Sequence, residues 1–565
     1  MEIIKMLEIL RRSKDHIIGA CIILMLMLAT VMPVARRWMA CEVWIFYGIP
    51  VLMLLGFTIL MLKKIKFECT LTDVIVALWF TYYVGRVWIG NEWPCKMEFL
   101  KTAELFLLYV GLRMAFYRTK MSVWVLIGSI LVFGCYEALL GALQMYVDGA
   151  SRHGLFALTG NFLNPGPYSA YLMIGVVVGM VSLKDVEGIW KQLIIVAVVI
   201  MAIILPSTWS RAAFLGVTMV ALIAFKDQYW KYRYLIWGVI LLAAIVFYLI
   251  KQGSADGRLM IWKASLTTWI NAPWFGVGVG GFYNAFAEGM AQLSTSNMDF
   301  SSTDVPDGAY NVLLKIVVEQ GVVGGIMAIS LTAIAMVMIS RSSKPLFYGM
   351  VALLVFAMFS YPFDLLPYKV IAVLIVAWSE SVGGKGLFKI SRVKVLFMSC
   401  FLGFASWQAG MIVDNSCKIE KEGYKLSGFS DFYSFEEGYE WLASESDNHE
   451  FLFSFGKKLR EECRYNDSNA VLKQGTKCSA DPMFYVLMGN NYKDMKYYGL
   501  AEQAYNKAFS VMPNRLYPLY QLMLLYQDSG NKQKAKAMAK RVVEMKPKVE
   551  SPATRDMKKK AMTII

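Results

Sequence analysis

The chain has 565 residues, of which 57% are hydrophobic and only 18% charged, with a mean hydropathy of +0.47; soluble domains carry about 25% charged residues, so lipid must be the solvent for much of it. A net charge of +15 raises nucleic acid as a partner, but the Lys and Arg residues fall mostly in short loops between apolar runs, as membrane orientation requires, so no nucleic acid is expected. Nine cysteines without a C-x-x-C pair and three histidines (His16, His153, His449) offer no ligand set at usable spacing, so neither metal nor cofactor is expected.

The basic segment 1–15 precedes an apolar run at 17–34, read as a retained first helix because no small-residue cleavage site precedes Arg36. Further apolar windows follow at 43–62, 71–89, 99–116, 122–147, 166–183, 191–206, 211–225, 234–250, 311–339, 346–361, 364–380 and 395–412. They predict an all-α, polytopic membrane domain of about 13 helices over residues 1–412. With a cytoplasmic N-terminus, every inside loop is basic, from Lys63, Lys64 and Lys66 to Lys385, Lys389, Arg392 and Lys394. The outer loops are then 36–42, 90–98, 148–165, 207–210, 251–310 and 362–363, and everything after residue 412 lies outside with them. The loop 251–310 is too long to be a mere connection and reads as functional.

After the last span the composition becomes that of a soluble domain, 413–565. Tyr485, Gly489, Tyr492, Ala501, Tyr505, Ala508 and Pro513 fit the tetratricopeptide template. Leu519, Tyr526, Ala535, Ala539 and Pro547 repeat it one period later, giving repeats at about 482–515 and 516–549, with a degenerate copy expected within 434–480. Such an array offers a groove for a protein partner or serves as a structural cap. Cys463 and Cys478 are either a disulfide or two free thiols.

Residues with chemical potential cluster in the outer loops. Arg152 and His153 open a stretch rich in turn formers and amides that includes Asn161 and Asn164; Gly and Pro set its backbone and the amides offer hydrogen bonds. Ser207 to Arg211 puts a guanidinium at the start of a helix, where it opposes the helix dipole and is suited to an anion or to lipid phosphate. Arg258 follows in Gly257–Trp262, ahead of the glycine-rich Pro273–Phe282, which lacks the βαβ surroundings of a nucleotide-binding loop. Arg86, Glu104, Glu137 and Asp364 lie in or beside spans, where charge is costly and tends to be paired or functional; Arg86 is expected to pair with a carboxylate.

Gly160–Pro165 (GNFLNP), Trp209–Ala212 (WSRA), Arg258–Trp262 with Pro273–Phe282, and Tyr310–Asn311 followed by Glu319-Gln320-Gly321 and Gly324 together resemble the O-antigen ligase and polymerase family of bacterial envelope glycosyltransferases, over about 120–340. The resemblance implies a GT-C-like enzyme of the bacterial inner membrane, embedded among membrane lipids. Such an enzyme moves a glycan from undecaprenyl pyrophosphate to a hydroxyl of the lipid A core or of a protein Ser/Thr, on the periplasmic face and without metal or nucleotide. Where many members carry a His before the Asn, this chain has Tyr310, whose usual pKa of about 10 suits positioning better than proton abstraction.

No Asp-x-Asp pair stands in the outer loops, so arginines are the available stabilisers of a departing pyrophosphate. Arg211 and Arg258 are assigned to it. Arg152, His153, Asn161, Asn164, Ser210, Trp262, Asp307, Tyr310 and Asn311 are expected to shape the sugar and acceptor pocket, with His153 and Asp307 the candidates for the base. A polymerase of the same fold, and a non-catalytic scaffold or transporter that recruits partners through the repeats, are the alternatives.

Overall fold

The computed structural model describes residues 17–32, 40–89, 96–117, 121–147, 156–162, 164–229, 252–295, 299–306, 308–425 and 448–565, with isolated positions in 231–249 and 437–446. The expected span at 234–250 therefore lies mostly outside the described residues.

Helices follow in chain order: α1 (Ile17–Thr30), α2 (Ala40–Leu62), α3 (Leu71–Ile89), α4 (Lys96–Ala115), α5 (Val123–Tyr146), α6 (Pro165–Ser182), α7 (Gly188–Ile204) and α8 (Arg211–Ala224). Then come α9 (Gln252–Trp269), α10 (Phe282–Leu293), α11 (Val312–Ser342), α12 (Lys344–Ala357), α13 (Leu366–Gly383) and α14 (Arg392–Lys425). Seven helices among the described residues are long and apolar enough to cross a membrane, and the apolar helices α1, α8 and α12 are shorter. The chain is a multi-pass, all-α membrane protein. The departure from helix is an antiparallel ribbon of β1 (Phe67–Cys69) and β2 (Phe388–Ile390).

α6 is the hub, with 83% of its span buried. It packs against α5, α7, α8 and α12. Small residues permit this: a side chain at Gly175 would meet Met201, and one at Gly349 would meet Val178. Because lipid tails compete equally for apolar surface, close backbone approach of this kind is what holds membrane helices together.

The ribbon ties the loop after α2 to the loop after α13, at one end of the bundle. The loops before α8, α11 and α13, the segment 252–310 and the C-terminal repeats gather at the other end. That end holds Arg211, Arg258, Tyr310 and Asn311.

The C-terminal helices are α15 (His449–Glu461), α16 (Tyr465–Cys478), α17 (Met483–Asp494), α18 (Tyr498–Val511), α19 (Leu516–Asp528), α20 (Lys532–Glu544) and α21 (Pro552–Met562), of which α17 to α20 cover the two expected repeats. Ala501, Tyr505, Ala508, Ala535 and Ala539 are buried where paired helices touch, and a side chain at Gly489 would strike the Tyr505 ring. The template residues are therefore steric requirements. Cys463 is exposed and Cys478 buried, both as free thiols.

Candidate active site

Two helix starts are built alike. A 3-10 turn, Leu205–Thr208, leads from α7 to Trp209, whose backbone is left-handed (φ 50°); Ser210 then caps α8, its side chain accepting from the Ala213 N–H at 3.4 Å. At α11, Tyr310 is likewise left-handed (φ 50°), and Asn311 caps the helix by accepting from the Leu314 N–H at 3.0 Å. A left-handed non-glycine residue costs roughly 1–2 kcal/mol, and such strain gathers where geometry serves function. Arg211 occupies the first position of α8, where unsatisfied helix N–H groups favour an anion.

Helix α9 completes the arrangement. Arg258 lays its guanidinium over the Tyr310 ring, 4.9 Å from the centroid, and Tyr310 meets Tyr361 edge-on at 5.3 Å. One turn further along α9, Trp262 donates its indole N–H to the Ala309 carbonyl at 3.0 Å, fixing the residue before Tyr310. Burial lowers the Arg258 pKa from its ordinary value; the Tyr310 hydroxyl works against this, while Arg211 is near enough for its positive charge to lower it further. The guanidinium nevertheless stays charged at neutral pH. Among the described residues no carboxylate pairs with Arg258, and Arg211 is close enough for the two positive charges to act on each other.

Beside Tyr310 lies a small recess of about 10 Å³, room for about one water, whose wall includes Asn311, Lys315, Ser360, Tyr361 and Asp364. Lys315 binds Asp364 at 2.7 Å and Glu98 at 3.2 Å, tying α11 to α4 and to the loop before α13. The ion pair turns one Asp364 oxygen toward Lys315 and leaves its carboxylate on the recess wall.

The glycine-rich run has a structural task. Helix α11 breaks at Gly321 (φ 69°, ψ −171°), and the run replaces the lost helix partners: Val277 N–H donates to Val318 O and Gly278 N–H to Glu319 O (both 2.9 Å), while Val322 N–H donates to Pro273 O (2.9 Å). Side chains at Gly276 or Gly321 would collide with the opposite backbone. Tyr82 donates to the Gln320 carbonyl at 2.6 Å and Trp79 to its side-chain oxygen at 2.8 Å.

The expected carboxylate partner of Arg86 is not what the structure shows. Its guanidinium donates to the Gly276 carbonyl at 3.3 Å and lies over the Phe275 ring, because the glycine-rich run rather than an acidic residue passes there; no carboxylate pairs with it among the described residues.

Asn161 is buried and directed away from any opening: its amide donates to Glu137 Oε1 at 2.8 Å and its backbone N–H to Oε2 at 3.1 Å. Gln144 of α5 accepts from the Thr159 and Gly160 N–H groups. Asn164 caps α6, accepting from the Gly166 N–H at 2.8 Å. These groups bolt the loop to α5 and α6. Arg152, His153 and Asp307 lie outside the described residues.

Residues 196–329 match the family model of the O-antigen ligase, and residues 484–515 and 518–549 match that of the tetratricopeptide repeat. The chain carries an O-antigen ligase family domain followed by tetratricopeptide repeats. No curated protein matches it. The ligase segment runs from within α7 to the middle of α11, and so contains Arg211, Arg258, Tyr310, Asn311 and the Gly321 break; at the family level it is a membrane glycosyltransferase-like enzyme.

Sequence reasoning missed Lys315, Glu98 and Tyr361. A Lys inside an apolar window is itself a signal. It was masked by the length of that window, which hydropathy averages over.

Proposed function

We propose that the ligase domain transfers a glycan from undecaprenyl pyrophosphate to an acceptor hydroxyl at the periplasmic face of the inner membrane, without a metal. The observation that supports this is Arg258, stacked on Tyr310 and close enough to Arg211 at a helix N-terminus for their charges to act on each other, beside a small recess walled in part by Asp364.

In the reaction the sugar C1–oxygen bond to pyrophosphate breaks and a bond from C1 to the acceptor oxygen forms. Charge grows on the departing pyrophosphate, so fixed cations aimed at it bind the transition state more tightly than the ground state. Arg211 and Arg258 serve here, and the α8 N-terminus adds its N–H groups. Tyr310 holds Arg258 by cation–π contact and offers an aromatic face to a sugar. Asp364 is the carboxylate on the recess wall, and receives the acceptor proton.

Ser210 and Asn311 act as helix caps that place their neighbours, Trp262 as the brace of Ala309, and Asn161 and Asn164 as the bolts of the adjoining loop. Arg152, His153 and Asp307 are assigned to substrate binding on this reading. Ligase and polymerase share this chemistry and differ in the acceptor, a lipid core or protein in one and a second glycan in the other; the repeats supply a surface for a protein partner.

The test uses the purified full-length chain in lipid vesicles with a synthetic undecaprenyl-pyrophosphate glycan and candidate acceptors. Transfer should proceed at the same rate in excess chelator, with release of undecaprenyl pyrophosphate. Strict dependence on an added divalent ion would refute the arginine account.

A further inference from the structure

Ala480, Asn514 and Lys548 are spaced at 34 residues, the period of the repeats. Each therefore occupies the same place in three successive turns, those joining α16 to α17, α18 to α19 and α20 to α21. All three meet the segment that carries Arg258. Ala480 is fully buried in an apolar cluster with Phe282, Phe286 and Met290. The Asn514 amide donates to the carbonyls of Phe300 (2.9 Å) and Thr303 (2.7 Å). Lys548 donates to the Thr303 carbonyl at 3.1 Å and pairs with Asp304 at 2.9 Å, and Arg515, next to Asn514, pairs with the same carboxylate at 2.9 Å. The array thus attaches by its edge.

We propose that the repeat array holds the Arg258 loop in its working shape through these inter-repeat turns, with Asn514 as a positioning residue for Arg258 and Tyr310. The mechanical path is short. Asn514 is 4% exposed and grips the carbonyls on either side of residues 301 and 302; the Ser302 carbonyl packs so closely on Gly257 that a side chain there would meet it at 2.9 Å. Gly257 directly precedes Arg258. Phe300 and Val305 pack into the same cluster as Trp262 and Tyr310, and Trp262 braces Ala309. A shift of the 300–304 turn therefore reaches both members of the stacked pair. Replacing Asn514 with an apolar residue removes the amide shared by both carbonyls, leaving Phe300 O only the Thr303 N–H and Thr303 O only the partly exposed Lys548, so the turn loses the buried donor that fastens it to the array.

The consequence for transfer rests on the function proposed above, while the conformational claim stands apart from it. The experiment compares wild type, Asn514→Leu and Arg515→Ala/Lys548→Ala as full-length proteins in lipid nanodiscs. Hydrogen exchange is read in peptides spanning 252–269 and 299–316, and transfer kinetics are measured on the same samples. Both variants should exchange at least about tenfold faster in those two windows, with α17 to α20 unchanged, and kcat should fall by about tenfold as the loop loses its alignment.

If both variants leave the two windows unchanged, the edge does not hold the loop. Faster exchange with unaltered kcat would show that the loop is held but that holding it positions nothing. Should Asn514→Leu disturb the repeats themselves, the double variant, whose side chains lie at the rim, decides the matter. If the wild type transfers no glycan, the functional reading fails alone, and exchange still judges the conformational claim.

Discussion

Arg258 and Tyr310 form one unit, and most neighbouring residues act by fixing them. A guanidinium over a tyrosine ring gains up to about 2 kcal/mol when desolvated, and keeps its edge N–H groups free for an anion. Asn161 illustrates the opposite case. Its amide is the hydrogen-bond donor to a buried carboxylate, so Asn161→Ala should lower the unfolding free energy by about 2 kcal/mol and leave the donor KM unchanged. Thermal unfolding in detergent, read beside kinetics, checks this; unaltered stability with a raised KM would return Asn161 to the substrate. Sequence alone marks Asn161 as a hydrogen-bonding residue in a turn. What it does not show is that Glu137, 24 residues earlier on α5, lies within reach, because that depends on how α5 and α6 pack.

At the scale of elements, helix positions were readable because apolar windows are long and lipid demands satisfied backbones. Twelve of the thirteen windows coincide with helices among the described residues, yet fewer are long and apolar enough to span by themselves. The reason is visible in α4, where Lys96, Glu98, Lys101 and Glu104 dilute the hydropathy of a helix that is covered by protein; Glu104 is buried, and its Oε1 has no hydrogen-bond partner among the described residues. The glycine-rich run was readable as backbone that must approach something closely. Its target, the break in α11 at Gly321, is a tertiary fact.

The contact between the repeats and the 300–304 turn carries its own pH signature. Burial acts against the Asp304 carboxylate, but hydrogen bonding and charge from Lys548, the Val305 N–H and Arg515 outweigh it and leave its pKa below the usual range. A depressed carboxylate contributes stability that is fully present above the unfolded value of about 3.9 and is lost as pH falls through the folded value. Docking should therefore be flat from pH 5 to 8 and weaken only below about pH 4. Crosslinking between an added cysteine pair across this contact, followed with pH, reads it; a transition near pH 6 would point to another group.

On the scale of the whole molecule, the chain joins a membrane-embedded ligase domain to a helical array, and a small β-ribbon ties two loops together at the far end of the bundle. The array could be recognised from its period, since small residues must recur where helices touch. That it is fastened to the Arg258 loop was also written at the same period, in Ala480, Asn514 and Lys548, but these residues share no chemistry, so only the structure reveals that they touch one segment. The function depends most on the claim that two fixed guanidiniums replace a metal at the leaving pyrophosphate. The decisive measurement is the transfer rate of reconstituted Arg258→Ala and Arg258→Lys proteins, folded as judged by unchanged unfolding temperature. The account predicts that kcat falls by about 100-fold or more in Arg258→Ala, and that Arg258→Lys recovers only part because a point charge cannot replace the planar fork. Wild-type kcat in Arg258→Ala would contradict it.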